Sequence, residues 1–461
     1  MDEKTKAPRL AHRAVKPEKI LALGFLLLIL VGGFLLALPI ASVDRRSIGA
    51  LGGLFTATSA VCVTGLTVID VGRTLSLFGQ IVLICLIQIG GLGFVVFATL
   101  AMVALGRRIS LRNRMLIRDS MSQNGLSGII RLTLWYSLLA LVIELAGACV
   151  LMTRFIPRFG VGKGIWYGFF HSISAFCNAG FDLFGGGRSL LDFQTDPTVI
   201  LTLGGLIVLG GLGFSVIMEC LQNRFRFGKL SLHAKLVLVT TGVLLLTGAL
   251  LTMLLEWNNP DTLGGGNLNG FQKSYNALFQ SVTLRTAGFV SIDQAKLCDT
   301  SKLLGLVWMF IGASPASTGG GVKTTTVCLL IIMLVSVIRG QEHINVFKRE
   351  ISFLTVRRAV SIILIGFSVI MACAGVISFI EPAGKFSLID LLYEATSALS
   401  TTGLSAAGTG ALSKASQWLL MPLMYFGRVG PLTLAYALAS RFESTAASNR
   451  VHYPEEKIMI G

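Results

Sequence analysis

The chain has 461 residues, 53% of them hydrophobic, with a mean hydropathy of +0.75 and 13% charged side chains. Soluble domains carry roughly 25% charged residues, so composition excludes an ordinary soluble domain and indicates a chain built for lipid. The net charge of +16 sits mostly in alternate connections between apolar runs, a membrane-topology pattern rather than a nucleic-acid surface.

Eight main spans are expected, at 20–40, 76–104, 131–153, 198–220, 236–256, 302–338, 359–381 and 415–440. Runs such as the first supply the ~20 apolar residues that crossing requires. The first follows Lys16 and Lys19 and is read as a retained helix, because no convincing small-residue cleavage site precedes the next segment. Within each successive pair of spans lies a shorter run, at 48–61, 165–176, 271–284 and 388–399. Such runs are too short to cross a bilayer and suit re-entrant half-helices.

Each short run leads into a polar segment closed by glycine. The segments are Cys62-Val63-Thr64-Gly65, Cys177-Asn178-Ala179-Gly180, Arg285-Thr286-Ala287-Gly288 and Ser400-Thr401-Thr402-Gly403. The glycines are separated by 115, 108 and 115 residues. A period that long indicates copies of one membrane unit around a common axis. Six residues before the glycine stand Ser59, Ser174 and Ser397, with Val282 the exception.

Gly90-Gly91-Leu92-Gly93-Phe94 and Gly210-Gly211-Leu212-Gly213-Phe214 recur in the second and fourth spans. They are read as close helix packing by small residues. Glu144 in the third span is expected to form a helix–helix hydrogen bond, and His171 to cap or pack against the second half-helix. The sixth span is interrupted by Gly312-Ala313-Ser314-Pro315-Ala316-Ser317-Thr318-Gly319-Gly320-Gly321-Val322-Lys323, followed by three threonines. Proline and consecutive glycines rule out a continuous helix there, so a flexible intramembrane loop below the glycine segments is expected. Arg428 in the last span should face the pore or a partner, because a cation facing lipid costs at least ~2.5 kcal/mol.

Of the 39 Lys and Arg, 24 fall in 1–20, 106–131, 222–235, 339–358 and from 441 onward. The positive-inside rule makes these segments cytoplasmic, with both termini inside and an even number of spans. The eight cysteines are scattered without a Cys-x-x-Cys pair, which suggests neither a metal site nor a disulfide framework.

A potassium ion crossing lipid must exchange its water shell for fixed oxygens, and rings of backbone carbonyls provide them. Glycine suits such a segment because it tolerates positive φ and brings no side chain into the lumen. Half-helix C-termini aimed at the axis would favour a cation. The expected ion-binding residues are Val63, Thr64, Gly65, Asn178, Ala179, Gly180, Thr286, Ala287, Gly288, Thr401, Thr402 and Gly403, with K+ held by their carbonyls. The other candidate site residues are Gly312, Ser314, Pro315, Ser317, Thr318, Gly319, Gly320, Gly321 and Lys323 of the interrupted sixth span, with Arg428 of the last span. No nucleophile–base pair or phosphate-binding loop has credible context, so an enzyme is not expected. The expected fold is an all-α polytopic membrane protein, with four parallel helix–pore-loop–helix repeats in pseudo-fourfold arrangement around one central pore. Its units are 20–104, 131–220, 236–338 and 359–440, flanked by cytoplasmic tails 1–19 and 441–461. Parallel repeats argue against a secondary transporter of inverted repeats with alternating access.

At these residues the sequence resembles the Trk/Ktr/HKT superfamily of cation transporters, and within it the membrane subunits of bacterial Ktr systems, the KtrB branch. The resemblance runs from about residue 20 to the tail Tyr453-Pro454-Glu455-Glu456. It implies potassium uptake across the bacterial inner membrane, a homodimer with one pore per subunit, and a cytosolic KtrA-like RCK ring that binds ATP or ADP. It also implies the potassium type, since glycine stands at all four filter positions, and it matches the 312–323 segment and Arg428 to the family's gate. Sodium dependence is open, as is a TrkH-like potassium- or sodium-permeable transporter with proton or sodium coupling. No covalent cofactor is implied. Arg285 would have to point away from the ion path or pair, with Asp293, Asp70 or Asp182 as candidate partners. The basic cytoplasmic residues Arg107, Arg108, Arg112, Arg114 and the 339–358 stretch are candidate docking sites for the ring, with lipid contact as the alternative.

Overall fold

The computed structural model describes residues 17–105, 114–115, 128–265, 268–341, 343–347 and 349–430. Arg107, Arg108, Arg112, Glu342, Lys348, the 431–440 part of the last expected span and both tails beyond these limits lie outside the described residues.

The described chain is mostly helical. Its main elements are α1 (Pro17–Ala37), α2 (Gly49–Val61), α3 (Leu77–Leu92), α4 (Phe94–Ala104), α5 (Ile129–Phe159), α6 (Val161–Phe176), α7 (Pro197–Leu212) and α8 (Phe214–Gln222). There follow α9 (Leu232–Glu256), α10 (Gly270–Thr283), α11 (Asp299–Phe310), α12 (Thr324–Ile338), α13 (Phe353–Ile380), α14 (Leu388–Ser400) and α15 (Lys414–Val429). A short antiparallel hairpin pairs β1 (Asn345–Val346) with β2 (Arg349–Glu350). Several helices start where a side chain accepts from a free N–H of the first turn: Ser76, Asp196, Ser231, Ser387 and Ser413. Asn269 opens α10 with a full capping box to Gln272.

Helices α1, α5, α9 and α13 are long and apolar enough to cross a membrane. On α1, Leu23, Leu27, Leu30 and Phe34 are exposed along one stripe, the spacing of a single helical face. The buried flank carries Gly33, which packs against Leu54, while a Cβ on Gly53 of α2 would lie 2.6 Å from the Gly33 carbonyl. The short helices α2, α6, α10 and α14 are the expected half-helices, and most of their second halves are buried, from Phe55 and Phe176 to Phe279 and Tyr393.

The expectation of continuous second and fourth spans is corrected. Helices α3 and α4 meet at 100°, and α7 and α8 at 94°. The breaks are Gly93 (φ 89°, ψ 133°) and Gly213 (φ 91°, ψ 135°), a backbone region open essentially to glycine. Gly430 ends α15 with φ 92° and ψ 138°, the same conformation. Packing does account for the neighbours: a Cβ at Gly91 would meet the Cys177 thiol at 2.7 Å, and Gly90 and Gly210 back directly onto the carbonyls of Val61 and Phe176. The two break glycines predict different costs. A Cβ on Gly93 meets nothing within 4 Å among the described residues, whereas one on Gly213 lies 2.6 Å from the Pro315 carbonyl. Gly93→Ala should therefore cost backbone strain alone, of order 1–3 kcal/mol, and Gly213→Ala distinctly more. Thermal unfolding in detergent checks this: equal shifts in Tm would contradict the Pro315 contact.

Candidate functional site

The half-helices deliver four polar segments with one local conformation. Two residues before each glycine the backbone is left-handed: Val63 (φ 57°), Asn178 (58°), Thr286 (63°) and Thr401 (52°). The glycines follow with φ of 94°, 69°, 78° and 88° for Gly65, Gly180, Gly288 and Gly403. Non-glycine residues seldom adopt positive φ, so surrounding bonds must hold them. The carbonyl of Ser59 accepts from Thr64 N–H at 2.7 Å and its hydroxyl from Gly65 N–H at 3.0 Å. Ser397 does the same for Thr402 (2.8 Å) and Gly403 (3.0 Å). The Ser174 carbonyl accepts from Ala179 N–H at 2.7 Å, while its hydroxyl donates to the Phe181 carbonyl at 2.8 Å. Where Val282 lacks a hydroxyl, Thr283 substitutes: its carbonyl accepts from Ala287 N–H at 3.1 Å and its hydroxyl donates to Phe289 O at 2.7 Å. A hydroxyl displaced by one residue was the available signal for Thr283.

The glycines close into a ring. A Cβ on Gly65 would lie 2.5 Å from Ala179 O and 3.2 Å from Gly180 Cα; one on Gly180 would lie 2.6 Å from Ala287 O and 2.8 Å from Gly288 Cα. A Cβ on Gly288 would lie 2.7 Å from Thr402 O and 3.3 Å from Gly403 Cα, and one on Gly403 would meet Thr64 O, with Gly65 Cα at 3.0 Å. Each glycine therefore packs against the next segment's carbonyl, and no side chain fits at any of the four.

The two sides of the ring differ in charge. On one lies a cavity of about 590 Å³ lined by the four glycines with Asp70, Asp182 and Asp293. Burial pushes the Asp182 carboxyl up to about 6, against the lowering effect of the Phe184 N–H. A second cavity, of about 490 Å³, is lined by Gly319, Gly321, Lys323 and Arg428, with Phe25, Phe94, Tyr136 and Phe214 in its wall.

The segment between α11 and α12 is the expected interruption of the sixth span. It folds back on itself, with Gly312 N–H donating to Val322 O at 2.8 Å, and it touches three ring segments. Thr318 hydroxyl donates to Phe176 O at 3.0 Å, a Cβ on Gly319 would collide with the Thr286 hydroxyl, and one on Gly320 with that of Thr401. Ser314 and Thr318 N–H groups donate to Gly211 O (3.1 Å) and Gly210 O (3.2 Å) at the end of α7. Lys323 donates to Gly319 O at 2.8 Å.

Arg428 projects from α15 onto this segment. It donates to the carbonyls of Thr318 and Gly90, and to Gly91 O at 3.1 Å. Its partners are backbone carbonyls, and no carboxylate pairs with it among the described residues. Gly427 backs onto Leu399 O as Gly90 does onto Val61 O and Gly210 onto Phe176 O. Each of those carbonyls precedes its ring glycine by four residues. Arg428 thus holds the position that Gly91 and Gly211 hold in the other two elements.

None of the three candidate carboxylates reaches Arg285. Its guanidinium points to α9, donating to the Thr241 hydroxyl at 3.4 Å, and its Nε has no hydrogen-bond partner among the described residues. Asp70 instead accepts from Gly186 N–H and pairs with Arg73, while Asp182 and Asp293 cap Phe184 and Ala295. Glu144 accepts from the Gln88 amide at 2.9 and 3.0 Å, joining α5 to α3. His171 accepts from Leu183 N–H at Nε2 (3.3 Å), lies 2.7 Å from Tyr167 O at Nδ1 and stacks on Phe184. It ties α6 to the chain beyond the ring.

These features define a mostly helical, multi-pass membrane protein with buried, conformationally specialised backbone at its centre. The profile of the TrkH family, described as a cation transport protein, matches residues 29–450, and the chain belongs to that family. It is 37% identical over 445 residues to the Ktr system potassium uptake protein B of Bacillus subtilis, covering 96% of this chain and 97% of that one. It is 39% identical over 444 residues to the protein of the same name from Vibrio alginolyticus (96% and 94% covered). The potassium/sodium uptake protein NtpJ of Enterococcus hirae is 38% identical over 451 residues, with 98% of each chain covered. The crystal structure of the potassium transporter TrkH from Vibrio parahaemolyticus superposes with a TM-score of 0.71 at 20% identity, over 94% of this chain and 87% of that one. That likeness establishes the fold.

Proposed function

We propose that this chain takes up potassium through one central pore whose selectivity filter is the four-glycine ring. In this reading 20–104, 131–220, 236–338 and 359–440 are four parallel units in pseudo-fourfold arrangement. The observation that carries it is the closed ring, in which carbonyls of Thr64, Ala179, Ala287 and Thr402 each abut the next glycine. Irregular backbone at membrane depth is tolerable only where it is buried or lines water, and converging carbonyls replace an ion's water shell. Buried hydroxyls of Thr64, Thr401 and Thr402 that lack a partner among the described residues suit the same path. The acidic cavity gathers cations, so it faces outside. The Lys323–Arg428 cavity faces the cytoplasm, beneath a gate formed by the 312–323 segment.

The similarity to Ktr system proteins supports a homodimer in the bacterial inner membrane, with both termini cytoplasmic. It also supports control by a KtrA-like ring that binds ATP or ADP, docked on the basic cytoplasmic loops. An ion transporter of this family has no call for an enzyme's catalytic constellation. A sodium-linked or sodium-permeable variant is the second reading, favoured by the likeness to the potassium/sodium uptake protein. Proteoliposomes with the purified chain test both: 86Rb+ uptake should be driven by a K+ gradient and competed by K+ far better than by Na+. Acceleration by external Na+ would mark sodium coupling, and absence of Rb+ uptake would contradict the proposal.

A further inference from the structure

The intramembrane segment and the filter are joined by side chains, at one residue of each. Asn178 and Thr318 are fully buried. The Thr318 hydroxyl hydrogen is shared between Phe176 O at 3.0 Å and Asn178 Oδ1 at 3.4 Å. On its other side, the Asn178 amide donates to the Thr286 hydroxyl at 3.3 Å and to Arg285 O at 3.5 Å, both in the third ring segment. The backbone of Thr318 is held as well, its N–H by Gly210 O and its carbonyl by Arg428. A continuous path of hydrogen bonds therefore runs Arg428–Thr318–Asn178–Thr286. Gly210 leaves room for it, since a Cβ there would lie 2.9 Å from both Asn178 Oδ1 and Thr318 Oγ1. At the equivalent places in the other segments stand Val63, Thr286 and Thr401, so only the second segment offers an amide that can bridge in two directions.

We propose that Thr318 is a positioning residue for the filter: it orients Asn178, and Asn178 sets the spacing of the second and third ring segments. Ion preference then depends on where the intramembrane segment lies. The inference rests on the filter reading above and adds that ion preference is strict only while Thr318 stays bonded to Asn178, so the movement that opens the gate leaves this contact in place. When that contact is cut, Asn178 Oδ1 loses its donor, the amide is held from the Thr286 side alone, and the carbonyls of Ala179 and Ala287 lose a common brace. These bonds are individually long and act as one chain, so cutting the chain at either link should lose most of its effect.

A double-mutant cycle in proteoliposomes tests it, reading K+ over Na+ preference from competition against 86Rb+ uptake. Thr318→Val and Asn178→Ala should each lower the preference about three- to tenfold, and the double variant no further than the worse single one. Thr318→Ser keeps the hydroxyl and should stay within about twofold of the native chain. If Thr318→Val does not accumulate, Thr286→Val cuts the same link from the other side and should likewise be non-additive with Asn178→Ala. Unchanged preference in Thr318→Val, or effects that multiply in the double variants, would overturn the coupling. Gly65→Ser in the same assay separates the two ideas. If it too leaves preference unchanged, the filter reading has failed, and if it alone lowers preference, only the coupling has.

Discussion

Gly65→Ser should lower potassium preference over sodium by at least about tenfold, and Gly288→Asp should abolish measurable uptake. Both glycines have positive φ, 94° and 78°, so any side chain adds strain of order 1–3 kcal/mol. The added Cβ also meets Ala179 O at 2.5 Å in the first case and Thr402 O at 2.7 Å in the second. Relief requires the neighbouring carbonyl to move, and that carbonyl is an ion ligand in the proposed filter. A tenfold change corresponds to about 1.4 kcal/mol, within what the strain alone supplies. Aspartate adds a fixed charge where four segments converge. Competition of 86Rb+ uptake by K+ and Na+, at matched protein per vesicle, gives both results, and native selectivity in both variants would remove the ring from the ion path.

The second large effect is expected at Arg428. Arg428→Ala should raise potassium flux at saturating concentration by about three- to thirtyfold with yield roughly preserved. A unit charge ~8 Å from a cation, at an effective dielectric of ~20, opposes it by about 2 kcal/mol, close to the upper figure. The same guanidinium tethers the 312–323 segment at Thr318 to the end of α3 at Gly90 and Gly91, so its loss also frees the segment. Gly91, one of the three residues whose carbonyls it leaves, lines the same cavity as Arg428, where water can replace the guanidinium, and no carboxylate among the described residues loses a partner. Arg428→Lys retains the charge and should remain nearer the native rate. Deleting 316–321, which removes Thr318 itself, should likewise raise flux and reduce its dependence on the proposed regulatory ring. Collapse of expression together with uptake in Arg428→Ala would mark the arginine as structural.

The four half-helices were legible because apolar length and a closing glycine are both local signals. Their observed ends at Val61, Phe176, Thr283 and Ser400 lie within one residue of the expected ones. The start of α6 at Val161 lay earlier than expected, since its first turn is glycine-rich and carries Lys163. The helix breaks at Gly93 and Gly213 were missed for a physical reason. A glycine inside an apolar run reads equally as a packing notch or a break, and here Gly90 does the first while Gly93, three residues on, does the second. Aligning Gly427-Arg428-Val429-Gly430 with Gly90-Gly91-Leu92-Gly93 would have exposed both the break and the substitution of arginine for a packing glycine. The environment of Arg285 was not legible, because its direction depends on the facing helix, where Thr241 lies 44 positions away in sequence. The same holds for Asn178 and Thr318, separated by 140 positions.

Anomalous diffraction from crystals grown in rubidium or thallium salt tests the central claim most directly. The account predicts peaks on the axis among the carbonyls of Thr64, Ala179, Ala287 and Thr402, lost in Gly288→Asp. Strong peaks only elsewhere, with the ring empty in a preparation that transports rubidium, would contradict it.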